Sequence, residues 1–286
     1  MSQLESKQSA ISARRIAPVA CARRSSLLWQ QDAAAPRSLD VLGLALTNVT
    51  LATAAADLVA AGRTGKRNRV VFVNAHVINE IRRDRAYRST IATADTRYAD
   101  GSGLAIAARL AGRTLVDNVN GTDLLPLLAA EAIRCGATLF LLGGAPGAAA
   151  GSASTLAAQG MPHAIAGTHH GFFAKDSADE DRVIALINAS GASILLVGMG
   201  VPLQDQWIAR NQHRITVPVL VGVGGLFDFF SGRVTRAPAL LRTLGLEWTW
   251  RLAQEPKRMW RRYIIGNATF VAQAVPHGLR ARALCR

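Results

Sequence analysis

Four short runs that are apolar at nearly every position constrain this chain most: Arg69–Asn74 (RVVFVN), Ala137–Leu142 (ATLFLL), Ser193–Gly198 (SILLVG) and Val217–Gly222 (VPVLVG). A strand that alternates apolar and polar residues can leave one face in water. A strand without that alternation must be covered on both. Stretches of helical periodicity lie between the runs, at about residues 50–62, 75–84, 103–111, 122–135, 147–159, 178–189 and 202–213. Ser177 and Glu180 read as a capping box for the sixth of these.

Strand–helix alternation predicts an α/β fold: a Rossmann-like, mostly parallel sheet with helices on both faces. Such sheets bind ligands beyond the carboxyl ends of their strands. The chemistry is therefore expected in the loops Asn74–His76, Asp100–Gly103, Gly143–Pro146, Gly198–Gln204 and Gly222–Asp228. Residues 1–38 read as a flexible Ser/Arg/Ala-rich leader, 39–235 as the catalytic domain and 236–286 as a helical, basic appendage. Within the appendage, Leu240–Gln254 reads as one helix and Pro256 as the first turn of the next. That second helix would put Arg258, Arg261 and Arg262 on one face.

The appendage carries most of the charge. Counted with the adjoining Arg233, there are eleven Lys or Arg against Glu247 and Glu255, which is +9 of the chain's formal +14. Trp248, Trp250, Trp260 and Tyr263 stand among them. Arginine presents a rigid fork to phosphate, and tryptophan favours half-wet boundaries, so the pattern points to a phosphorylated or membrane-bound partner. Charge alone allows nucleic acid or anionic lipid equally. Val183–Gln204 lacks charge, but Asn188, Ser190, Gly191 and Gly198 interrupt it, and it reads as helix, turn and buried strand instead of a membrane span. Cys21, Cys135 and Cys285 form no CxxC pair, which suits a reducing compartment and argues against structural zinc.

Asp100 follows a strand and precedes Gly101-Ser102-Gly103. A carboxylate there can accept a hydroxyl proton, while glycines such as Gly101 let a substrate approach the backbone; capping the next helix is the alternative. Gly143 and Gly144 follow a strand and can cradle a phosphate on a helix N-terminus, although no P-loop Lys-Ser/Thr follows them. Gln204 either holds a ligand hydroxyl or sits on the first turn of a helix. Asp228, between Phe227 and Phe229, is oddly placed for a solvent carboxylate. Gly121-Thr122-Asp123 reads as a helix start capped by Thr122 or Asp123. Asp179-Glu180-Asp181 has DxD spacing but reads as a solvated helix start, and the histidines show no metal-ligand spacing.

Together, five motifs in order resemble the TagA/WecG/CpsF family of bacterial glycosyltransferases. They are Tyr98–Gly103 (YADGSG), Asn120–Leu124 (NGTDL), Gly198–Trp207 (GMGVPLQDQW), Gly222–Pro238 (GVGGLFDFFSGRVTRAP) and Gly245–Tyr263, within roughly residues 39–270. The resemblance implies an inverting transfer, independent of metal or other cofactor, in cell-surface or extracellular polysaccharide synthesis. The sugar would pass from a UDP-sugar (N-acetylmannosaminyl, N-acetylmannosaminuronyl or glucosyl type) to an undecaprenyl-diphosphate-linked sugar. It implies Asp100 as catalytic base, Gln204 as an active-site amide, and Asn74 and Asp228 lining the nucleotide-sugar pocket. Arg251, Arg258, Arg261 and Arg262 would close over the diphosphate. It further implies a cytoplasmic enzyme held peripherally at the inner face of the bacterial plasma membrane, its apolar appendage packing on the bilayer or on a second subunit. Two positions depart from the family pattern: Phe72 stands where a Thr is common, and Asn118 where an Arg is common.

Two other classes fit less well. A nucleotide-dependent oxidoreductase would use the glycine loops but needs an acidic ribose partner, which the spacing does not supply. A nucleic-acid-binding protein would explain the charge and leave the loops without a purpose.

Overall fold

A computed structural model describes residues 37–284. Its strands are β1 (Ser38–Val41), β2 (Leu44–Thr47), β3 (Asn68–Val73), β4 (Thr96–Ala99), β5 (Leu139–Gly143), β6 (Ile165–His169), β7 (Ile194–Gly198) and β8 (Val219–Gly222). Among the described residues they form one eight-stranded sheet, ordered β1-β2-β4-β3-β8-β7-β5-β6. Only the β1–β2 hairpin pairs antiparallel; the other pairings are parallel.

The predicted α/β architecture is present. Along β3, the period of two sends Val70 and Phe72 to one face and Val71 and Val73 to the other. The first face is covered by α1 (Leu51–Thr64), α5 (Gly121–Cys135) and α6 (Ala148–Ala158). The second is covered by α2 (Ala75–Arg83), α3 (Arg85–Ala92) and α4 (Ser102–Leu110), and further along by α7 (Ala178–Ala189) and α8 (Leu203–Asn211). The uncharged stretch 183–204 is the end of α7, β7 and the start of α8, and no helix of the described residues is long and apolar enough to cross a membrane.

Several local expectations are overturned. The hairpin was hidden because its strands are four residues each; Leu42 and Gly43, at φ 59° and 77°, make the tight turn. Helix α5 is capped by Asn120, whose Oδ1 accepts from the Asp123 N–H at 2.9 Å, and not by Thr122 or Asp123. Ser177 caps α7, but Glu180 accepts from the Asp176 N–H and so closes no reciprocal box with Ser177. Nor is Glu180 solvated. It is buried, taking the Trp207 indole N–H at 2.6 Å and an Arg210 N–H at 3.1 Å, while the flanking Asp179 and Asp181 pair with Arg182 and Arg214. The DxD spacing thus serves a structural clamp.

The C-terminal region differs most. A short helix α9 (Leu226–Phe230) leads to α10 (Ala239–Thr243) and α11 (Glu247–Gln254). Gly245, at φ 72°, breaks the single helix expected over 240–254. Next come α12 (Pro256–Trp260), a π turn over Arg261–Ile265, and α13 (Gly266–Leu284). The last helix lies on α2 and α4, where Phe270 and Ala274 join the core. Burying Phe270 contributes about 1.5–3 kcal/mol. Gly278 allows the close approach: a Cβ there would stand 2.6 Å from Leu110 Cβ. Of the predicted leader, all but Arg37 and Ser38 falls outside the described residues.

Candidate active site

The chain passes from β3 to β4 on one side of the sheet, then crosses to β5 on the other. A reversal of this kind opens a crevice at the carboxyl ends of the strands. Asn74 and Asp100 stand there at the ends of adjacent strands. Asn74 is the N-cap of α2, its Oδ1 accepting from the His76 and Val77 N–H groups at 3.1 Å each. That fixes the amide, so its Nδ2 faces Asp100 and donates to Oδ2 at 3.1 Å.

Asp100 does not cap α4; Gly101 occupies the cap position without a side-chain bond. Gly101 takes φ 92°, and a Cβ there would meet nothing within 4 Å, because it faces the open cleft. Asn118 secures this turn by accepting the Gly101 N–H on its Oδ1 at 2.7 Å. Burial pushes the Asp100 carboxyl up to about 6; Glu247 and Asp123 add to the rise, while the Asn74 bond and Arg262 oppose it. His76, in the same cleft, is drawn down to about 4 by burial and by the nearby Arg262 and Arg83.

The appendage forms the opposite wall. Ser102 Oγ donates to the Gly245 carbonyl at 3.0 Å, Asn79 Nδ2 to the Gly266 carbonyl at 2.8 Å, and Arg236 pairs with Asp123 at 2.7 Å and Glu247 at 3.6 Å. Arg251 is only 7 % exposed: it stacks on Phe229, pairs with Glu255 at 3.0 Å, and keeps one buried terminal nitrogen, Nη1, without a partner. The Nε of half-buried Arg262 is likewise unpartnered. Buried donors short of acceptors are rare in folded proteins, and these two nitrogens are free to bond an anionic ligand.

The four appendage arginines differ in burial and partners. Arg258 is exposed and paired with Glu255 at 2.8 Å, and Arg261 is exposed over the Trp260 ring. A π turn begins at Arg261, and Arg262 is half-buried where Arg258 and Arg261 are exposed.

On the β8 side, half-buried Asp228 and Arg251 flank Gly225: a Cβ on that glycine would stand 3.6 Å from Asp228 Oδ2 and 3.5 Å from Arg251 Nη2. Gln204 is 3 % exposed, below the cleft surface, and its Oε1 accepts the Gly224 N–H at 2.7 Å. Gly143 ends β5 and Gly144 follows it, four strand spacings from β4, or about 19 Å at ~4.8 Å each. Gly143 is glycine for a packing reason, since a Cβ would lie 2.3 Å from the Gly198 carbonyl oxygen. Gly144 donates its N–H to the same carbonyl at 2.8 Å.

Among the described residues no group of three or more His, Cys, Asp or Glu is placed to hold a metal ion. Asp123, Arg236, Glu247 and Tyr263 carry little local signal as cleft residues. Tyr263 has its hydroxyl pushed up by burial and lies in the fields of Arg262, Arg251 and Asp100. Its companion signal was present: it follows the arginine pair directly.

The profile of one protein family, described as the Glycosyl transferase WecG/TagA/CpsF family, matches residues 39–284, so the match takes in the appendage as well as the sheet. That span includes both Asp100 at the strand ends and the arginines of the appendage. The chain therefore belongs to the WecG/TagA/CpsF family of glycosyltransferases, enzymes of cell-surface polysaccharide synthesis.

Proposed function

We propose that the protein transfers a sugar from a UDP-sugar to a polyprenyl-diphosphate-linked sugar, with inversion at the anomeric carbon. One observation carries this reading: Asp100, fixed by Asn74 on the sheet, lies in the field of Arg262 of the appendage, whose Nε is unpartnered, as is Nη1 of the buried Arg251. In the reaction, an acceptor hydroxyl attacks the anomeric carbon from the side opposite the leaving group. The new C–O bond forms as the C–O bond to the diphosphate breaks, the hydroxyl proton passes to Asp100, and UDP departs with the bonding electrons. Arg251 and Arg262 meet the developing charge, in a cleft where donors need not reorganise. Asp228 and the Gly222–Gly225 loop line the donor side, and Gly143 and Gly144 lie where the far end of an extended nucleotide would reach. Residues 39–235 form the catalytic unit and 236–286 the appendage.

The working pH follows from the carboxyl. A base must be ionised, and burial delays ionisation of Asp100 to about 6. The free enzyme should therefore lose kcat/KM below that pH, approaching tenfold per unit. A pH–rate profile flat down to pH 4.5 would exclude Asp100 as the base.

The appendage also supports attachment to the cytoplasmic face of the plasma membrane. Leu240, Leu244, Trp260, Ile264, Val271 and Leu279 are exposed along it, beside exposed Lys257, Arg258 and Arg261. Each cation near anionic lipid contributes about 1 kcal/mol, and the apolar side chains add to it. Deleting the appendage would uncover the core around Phe270, so point variants test the idea more cleanly. The deciding experiment gives the full chain a panel of radiolabelled UDP-sugars, a short-chain lipid diphosphate sugar and vesicles with or without anionic lipid. Transfer of at least one sugar is expected, with vesicle binding weakened by Ile264→Ser and Val271→Ser together. Absence of transfer from every donor, or binding indifferent to both lipid charge and those substitutions, would overturn the respective half.

A further inference from the structure

Behind the cleft lies a polar group that the transfer step does not use. Asp205, on α8, is 3 % exposed. Its Oδ2 accepts from the Tyr87 hydroxyl, on α3, at 2.7 Å, while Oδ1 has no fully formed hydrogen bond. Gln204 Nε2 sits beside that oxygen: a Cβ on Gly222 would stand 2.5 Å from Asp205 Oδ1 and 2.8 Å from Gln204 Nε2. The other end of the same amide, Oε1, receives the Gly224 N–H. An amide is nearly symmetric in shape, so only its neighbours decide which end faces which way. A carboxylate beside one end demands the NH₂ there, which leaves the carbonyl oxygen for the loop.

We propose that Asp205, held by Tyr87, is a positioning residue: it orients the Gln204 amide, and through it fixes the Gly222–Gly225 loop that sets Asp228 opposite Arg251. Three features converge on this. Gly222 has no side chain where the two polar groups need the space. Gly224, at φ 60°, holds a conformation that a bond to its N–H stabilises. Asp205 is buried between the Tyr87 hydroxyl, the Gln204 amide and the charge of Arg69, so its carboxylate is held in one orientation. The catalytic consequence rests on the glycosyltransfer reading; the effect on the loop does not.

The test uses the full chain carrying Tyr87→Phe and Asp205→Leu together. Removing both partners of the Tyr87–Asp205 bond leaves no orphaned hydroxyl, while the Gln204 amide and Arg69 each lose a neighbour, so the variant is compared well below its thermal midpoint, where it is folded. A role confined to stability then predicts a normal enzyme. Positioning predicts hydrogen exchange at 222–226 faster by about tenfold or more, with β7 and α8 unchanged, and donor kcat/KM lower by about 100-fold. Asp205→Asn, which retains a carbonyl for the Gln204 amide, should stay within about fivefold of the parent. Gln204→Leu cuts the same link from the other side and should reproduce the loop exchange. Unchanged exchange in that variant, or in a folded apolar pair, overturns the proposal. Faster exchange in a protein whose parent transfers no sugar would leave the positioning role standing and remove the transferase reading instead.

Discussion

Asp100→Asn should lower kcat by about 10²–10⁴-fold, the span attributed to a positioned general base. The substitution is nearly isosteric, and the new carbonyl can still accept from Asn74 Nδ2, which now reaches the carboxylate at 3.1 Å. Folding should not suffer. The parent carboxyl is raised to about 6, so above that pH the protein carries a charge that burial disfavours. A group raised in this way contributes stability that is full below its unfolded pKa and lost as the pH climbs through its folded one. At neutral pH the neutral amide removes that burden, and the thermal midpoint should hold or rise. UDP affinity should hold or tighten, because a negative charge near the diphosphate is gone. Calorimetric titration with UDP and a single-turnover assay separate the two effects. Undiminished kcat would refute the assignment outright.

Arg251→Ala should cost about 10²–10³-fold in kcat/KM, comparable to removing one preorganised donor from an oxyanion site. Arg251→Lys should recover little of it, since lysine neither forks nor stacks as a plane over Phe229. Arg258→Ala supplies the contrast. Arg258 is exposed and bonded to Glu255, so its loss should change turnover of a short-chain acceptor in detergent by less than about threefold. The same variant should bind anionic vesicles less tightly. If Arg258→Ala proved as damaging as Arg251→Ala in detergent, all four appendage arginines would have to reach the diphosphate in the working enzyme.

The sheet was legible because its physical demand is written into consecutive residues: RVVFVN cannot be half-wet, and neither can SILLVG. Asp100 was legible through its place between a strand and three small residues. Less visible were features that depend on what a distant segment brings. Glu180 opens a helix and looked solvated until Trp207, twenty-seven residues on, supplied a buried N–H. Asn118, a departure from the family pattern, proved to hold the Gly101 turn through a bond that no local spacing announces. The appendage misled for a related reason. Periodicity assumes a uniform helix, whereas one glycine with positive φ and one π turn interrupt this segment, and its four arginines divide between buried and exposed positions.

Order of synthesis gives the docking of α13 a further meaning. The sheet is complete once β8 has been made, yet Phe270 and Ala274, which finish the core over α2 and α4, come some fifty residues later. Until they arrive, a growing chain holds a formed sheet with an uncovered apolar groove along Gly103 and Leu110, the kind of surface that invites aggregation. The same late segment brings Arg251 and Arg262. On the proposed reading, a chain that stops before α11 lacks both its groove cover and the arginines assigned to the leaving group, and should not turn over donor.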